Sequence, residues 1–353
     1  MSRSPRTQLA FATLGISLSA ACTAHGAAPA VVATPPAAGE TARSELVGEA
    51  ASLQFHSAFW PNLHHLLYAE AWAHRGVPAR ESLAGALPEP LQADLSPAER
   101  AAWQQAVDYY DRELAAKDLL FDPRLDEIRR ALLAGGASAE PPAGLPAEHR
   151  AVLAAAAPVY RAHWWSAHDR ANRAWIAAAT AEVQSLSPAV PARLAALYRT
   201  PWFTSPARVD VVFVASRQGA YTQLDPLPAH LTISSSDPHN QGLAAGEIVF
   251  HEASHALVRP VEEAFSKEAR AAGKPIGVLW HVALFYLTGE VVRQALAARG
   301  VDYTPYLYAT GLFDRAWPQL EAPVETHWRP YVDGKASLDD AVRRVIAAYQ
   351  TPR

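Results

Sequence analysis

Apolar residues recur at helical spacing through most of the first half of the chain. From about Ser44 to Arg199 the pattern predicts helices. "SELVGEAASLQFHSAFW" carries spaced apolar positions, and "SPAERAAWQQAVDYYDRELAAKDLLF" opens with Ser96 as an N-cap and Pro97 behind it. "PAEHRAVLAAAAPVYRAHWWSAHDRANRAWIAAATAEVQSL" is a long Ala-rich run with a break expected at Pro158. The period then shortens. "RVDVVFVAS" (Arg208 to Ser216) and "AHLTISS" (Ala229 to Ser235) are β-branched and apolar with turn formers around them, which predicts two strands of a small sheet. Helices follow: about Leu243 to Val258, stopped by Pro260; about Ile276 to Arg299, ended by Gly300; and a last one from near Ser337. The predicted fold is α+β and predominantly helical, with a helical region over 44–200 and a second region over 201–353 that holds the sheet and the later helices.

The start of the chain changes the picture of where it works. Arg3 and Arg6 precede a thirteen-residue apolar run, Leu9 to Ala21, which is too short to span a bilayer and reads as a signal peptide over residues 1–21. "LSAAC" is similar to the lipobox of bacterial lipoproteins, with Cys22 as the lipidated first mature residue, although Ser19 stands where that motif prefers leucine. Ordinary cleavage near "TAHGAA" therefore stays open. Residues 22–43, rich in Ala and Pro, read as a flexible tether. The chain is expected in the periplasm or at the cell envelope, touching membrane only through an N-terminal lipid. Cys22 is the only cysteine, so no intramolecular disulfide can form. Loss of residues 1–21 removes two arginines and takes the net charge from −4 to −6, which argues against a nucleic-acid partner.

Candidate chemistry centres on "EIVFHEASHALVRP", Glu247 to Pro260. On a helix His251 and His255 project from one face one turn apart, close enough to grip one cation, with Glu252 beside them and placed to take a proton from water. Phe250, Ala253 and Leu257 trace the other side and can enter a core. Glu247, one turn before His251, could orient that ring, but an exposed carboxylate is the simpler expectation.

This His-Glu-x-x-His frame resembles the zincin metallopeptidases, over roughly residues 208 to 310. No Gly and third His follow His255, which sets the metzincin branch aside. The gluzincin branch places a glutamate on a later helix, and "LWHVALFYLTGEVVRQALAARG" offers Glu290. The resemblance therefore implies Zn2+ held by His251, His255 and Glu290, with Glu252 as general base and a peptide or protein as substrate. A downstream Tyr303, Tyr306, Tyr308 or His327 would stabilise the oxyanion, and "HLTIS" would be the edge strand that holds substrate backbone.

Rivals remain at the level of sequence. Glu290 could be ion-paired by Arg293, and Glu262 and Glu263 are alternative ligands. His281 is another, but nine residues and about 13 Å of helix separate it from Glu290, so both cannot hold one ion. His56, His64, His65, His168, Asp169 and Asn172 form further polar clusters, more simply read as groups that bond to each other than as a second metal site. The expected function is an exported zinc peptidase of gluzincin type. The rivals are a cell-envelope binding or scaffold lipoprotein with structural zinc, and a hydrolase of non-peptide amides.

Overall fold

A computed structural model describes residues 45–75, 95–215, 219–225 and 228–349. The expected signal peptide, Cys22 and the tether lie outside the described residues. The fold is α+β and predominantly helical, as its patterning predicts. No described helix is long and apolar enough to cross a membrane.

Five strands make one mixed sheet in the order β1-β2-β3-β5-β4. β1 (Leu46–Ala50) and β2 (Leu53–His56) form an antiparallel hairpin; β2, β3 (Ala207–Val212) and β5 (His230–Ser234) run parallel; β4 (Ala220–Gln223) closes the sheet antiparallel to β5. Three differences from the sequence reading follow. The hairpin falls where helix was expected, because its turn uses Ala51 and Ser52 at φ 52° and 61°, without the Asn-Gly signal such turns usually carry. Its pairing to β3 carries the sheet across residue 200, so that position is no structural boundary. And "HLTIS" is an interior strand, fully buried; the edge beside it is β4, too short to announce itself.

Pleating sends alternate residues of the sheet into two different cores. Leu231 and Ile233, with Phe55, Val209 and Val211, enter a core built with α5 (Ser166–Leu186), α6 (Ala189–Tyr198), α7 (Leu243–Ser254), α8 (Arg259–Ala271) and α9 (Leu279–Ala297). Tyr221 and Val214 enter the other, with α1 (Phe59–His74), α2 (Pro97–Glu113), α3 (Pro123–Gly135) and α4 (Ala147–Tyr160). Ser96 caps α2 as expected, and a capping box to Glu99 completes it. Pro158 does not break its helix; a π-helical turn, Arg161–Trp165, follows it and passes straight into α5. A buried polar lattice ties the two layers together. Asn62 of α1 accepts from Phe213 N–H (2.8 Å) and from the Asn172 side-chain amide of α5 (3.0 Å), while Ser57 donates to Asp169 (2.8 Å).

α7 is shorter than its apolar pattern suggests. It ends at Ser254 with His255 as its C-cap, and Pro260 lies in the first turn of α8, where a missing N–H costs nothing. α9 packs on α7 antiparallel. Thr288 Oγ1 donates to Ser254 Oγ (3.4 Å), the Phe285 ring lies 3.7 Å from that of His251, and Gly289 faces Glu247. A Cβ on Gly289 would fall 2.9 Å from both Glu247 Oε1 and Pro305 Cβ. Gly289→Ala is therefore expected to lower stability by about 1–3 kcal/mol in chemical denaturation, through overpacking at the helix pair. Unchanged stability would mean that the two helices are free to part there.

Candidate metal centre

Antiparallel packing brings the C-terminal end of α7 against the first turn of α9. His251, His255 and His281 meet there, with one ligand atom from each lying within 4.8 Å of the others. Their rings form a near-equilateral triangle, with centroids 5.1, 5.2 and 5.5 Å apart. His251 is buried, and its Nδ1 has no hydrogen-bond partner; His255 and His281 are half-buried. Phe285, Trp280 and Trp317 pack around the rings. Desolvation holds all three imidazoles neutral. His251 titrates well below its ordinary value, His255 is lowered to about 3 and His281 to about 4, with burial the largest cause each time.

Three neutral imidazoles are a donor set suited to zinc. Tetrahedral Zn–N bonds of about 2.0–2.1 Å place nitrogens about 3.4 Å apart, so the three rings would draw together by an ångström or so around an ion. The residues fit the metal.

Glu252 is buried beside this cluster. Its carboxylate accepts from Thr222 Oγ1 of β4 (2.7 Å), and burial pushes its pKa up to about 8 against that bond. Of the oxyanion candidates, Tyr306 is the one placed at the centre. Its ring stacks on Phe285 (6.1 Å), and burial, then the charges of Asp237 and Glu252, hold its hydroxyl protonated. Tyr303 donates to Glu247 (2.7 Å), Tyr308 donates to Glu325, and His327, in the turn Val324–Trp328, makes no ring contact with the three histidines. Glu247, expected to be an exposed carboxylate, is instead almost fully buried. It accepts from Tyr303 and from the Tyr306 backbone N–H (3.0 Å), and so anchors the short helix α10 (Tyr306–Ala309) to α7. Desolvation raises its pKa to about 7.

The expected ligand Glu290 is not brought to the histidines. Helix α9 is continuous from His281 to Glu290, and its antiparallel course carries Glu290 towards Glu247 rather than His251. There its carboxylate is clamped by Arg293, with Nε at 2.9 and 3.1 Å and Nη2 at 2.8 Å. That pair resolves the burial cost that had suggested a metal. His281 takes the third position instead. Of the other rivals, Glu263 pairs with Arg259 on the exposed face of α8 and Glu262 lies on the same helix. His64 and His65 bond to Tyr110 (2.8 Å) and Tyr221 (2.6 Å), and His168 to Tyr160 (3.0 Å). A cavity of about 10 Å³ lined by His64, His65, Asp210 and His230 lies on that far side of the sheet, with room for a single water and no substrate. Among the described residues, His251, His255 and His281 are the one cluster of three or more ligand side chains.

No family model matches the chain, and neither a curated protein nor a solved structure matches it either.

Two outcomes are expected. One zinc per chain should bind the parent and Glu290→Gln but not His281→Ala, by elemental analysis; loss in Glu290→Gln alone would restore the carboxylate ligand. In chelator-treated protein, burial lowers the pKa of His281 to about 4 in the folded state against about 6.5 unfolded, so it costs stability only as pH falls below about 6.5. Denaturation of His281→Phe should accordingly gain on the parent steadily from pH 6.5 to 4, and a pH-independent difference would show that His281 is not desolvated.

Proposed function

We propose that the protein is an exported zinc-dependent hydrolase acting on peptide bonds. The observation that carries this reading is the convergence of three neutral imidazoles beside a buried, uncompensated glutamate. A structural zinc site commonly closes with four protein ligands, whereas three leave a position for solvent, and two of the three histidines here are reachable from outside.

Zinc held there would supply Lewis acidity, bringing the pKa of a coordinated water down to about 7. Glu252 follows His251 directly and would accept a proton from the attacking water, then pass it to the departing amine. Its burial raises the proton affinity of the carboxylate, which favours the first half of that transfer. Tyr306, held protonated, would donate its hydroxyl hydrogen bond to the oxyanion that develops on the scissile carbonyl. Edge strand β4, next to Glu252 through Thr222, has no strand paired to its outer side among the described residues and would take an extended peptide there as a further strand. The role expected of "HLTIS" thus passes to its neighbour. The export signal, with or without lipidation of Cys22, would place this activity outside the cytoplasm.

Glu252→Gln should retain zinc and lose about 10²- to 10⁴-fold in turnover of a quenched fluorogenic peptide library. Tyr306→Phe should lose about 10²-fold, chiefly in kcat. Full turnover by Glu252→Gln would refute the assigned base, and a parent that binds zinc yet cleaves nothing would refute the reaction.

A further inference from the structure

Thr222 had no place in the sequence reading, yet it is the residue through which the sheet touches Glu252. Its Oγ1 lies 2.7 Å from Glu252 Oε2 and 2.9 Å from the Glu252 backbone carbonyl. One hydroxyl therefore brackets both the head and the root of the same side chain. It carries one proton, so it donates to one of the two oxygens at a time and can turn between them while its own oxygen stays fixed.

That oxygen is held unusually well for an edge strand. Thr222 is β-branched, with χ1 restricted by its own backbone. Pleating directs its neighbours Tyr221 and Gln223 to the opposite face of β4, where each is pinned: the Tyr221 hydroxyl donates to His65 Nε2 (2.6 Å), and Gln223 donates to the Leu119 carbonyl (3.4 Å). His65 is in turn fixed by donation from Nδ1 to the Pro61 carbonyl (2.7 Å), which leaves Nε2 as the acceptor that Tyr221 requires. β4 is also paired residue by residue to β5, Thr222 opposite Leu231. The strand is thus nailed to α1 on one face, and presents Thr222 to α7 on the other.

Among the described residues no cation shares the Glu252 carboxylate and its one side-chain partner is Thr222, so without that hydroxyl none of them fixes by a polar contact the direction of its terminal torsion, which is broad in glutamate. We propose that Thr222 is a positioning residue for the general base, aiming the Glu252 carboxylate at the space between His251, His255 and His281. This rests on the hydrolase reading for its catalytic consequence, but its structural half stands on geometry alone. A peptide added to β4 would lie directly against the strand that carries Thr222, so substrate docking and base alignment share one element.

The test compares Thr222→Val, which keeps shape and removes the hydroxyl, with Thr222→Ser, which keeps the hydroxyl and removes the methyl. Each is made in the zinc-loaded full chain and followed by crystal structure, zinc content, and kcat and KM on the fluorogenic peptide library. Expected for Thr222→Val are one zinc per chain, a Glu252 carboxylate turned away from its parental position, and kcat lowered by about 10- to 100-fold with KM within about twofold. Thr222→Ser should restore the carboxylate position and most of kcat. An unmoved Glu252 in Thr222→Val, an unaltered kcat, or a serine variant as impaired as valine would each overturn the proposal. Parental protein that holds zinc but cleaves nothing would instead remove the hydrolase reading, and the carboxylate position in the two variants would still decide whether Thr222 aims it.

Discussion

The close antiparallel contact of α7 with α9 sets everything else at the centre. It is held at three levels: Gly289 against Glu247, Thr288 against Ser254, and Phe285 against His251. Each level leaves little freedom to slide, because the first needs a residue without Cβ and the second is a buried hydrogen bond. With that register fixed, His281 can only fall beside His255 and His251. Glu290, nine residues further along the same rigid helix, can only fall away from them.

Buried carboxylates around this contact are resolved in different ways, and the differences organise the chemistry. Glu290 has a bidentate arginine and stays an ion-pair member. Glu247 has only hydrogen-bond donors, Tyr303 and a backbone amide, and its pKa climbs to about 7. Its work is mechanical, since it fastens the segment that delivers Tyr306. Glu252 has only a threonine hydroxyl and climbs further, to about 8. Desolvation without a cation is what gives a carboxylate proton affinity near neutrality, and it occurs at the one glutamate adjacent to the histidine triad.

The fold class and many of the helices were legible from apolar periodicity, and the cap at Ser96 could be read directly because capping is local chemistry. His251, His255 and Glu252 were legible for the same reason: the spacing of one helical turn defines their relation. The third ligand was not, because it depends on the direction and register of a second helix. Both His281 and Glu290 lie on α9, and only the tertiary contact distinguishes them. β3 and β5 were legible as β-branched apolar runs, whereas the other three strands escaped for a related reason. β4 is four residues long and half polar, and the β1–β2 hairpin turns through Ala51 and Ser52, residue types that seldom mark a turn with positive φ. Thr222 was invisible because its importance comes from pleat and pairing, not from any motif. Glu247 misled because one helical turn from a histidine is equally compatible with solvent and with a buried anchor.

The measurement that bears most directly on this account is an anomalous difference map recorded at the zinc edge from crystals of the zinc-loaded protein. The account predicts one peak bounded by the imidazoles of His251, His255 and His281, with Nitrogen–zinc distances of about 2.0–2.1 Å and Glu290 still clamped by Arg293. A peak ligated by Glu290, or no peak at the triad, would contradict it.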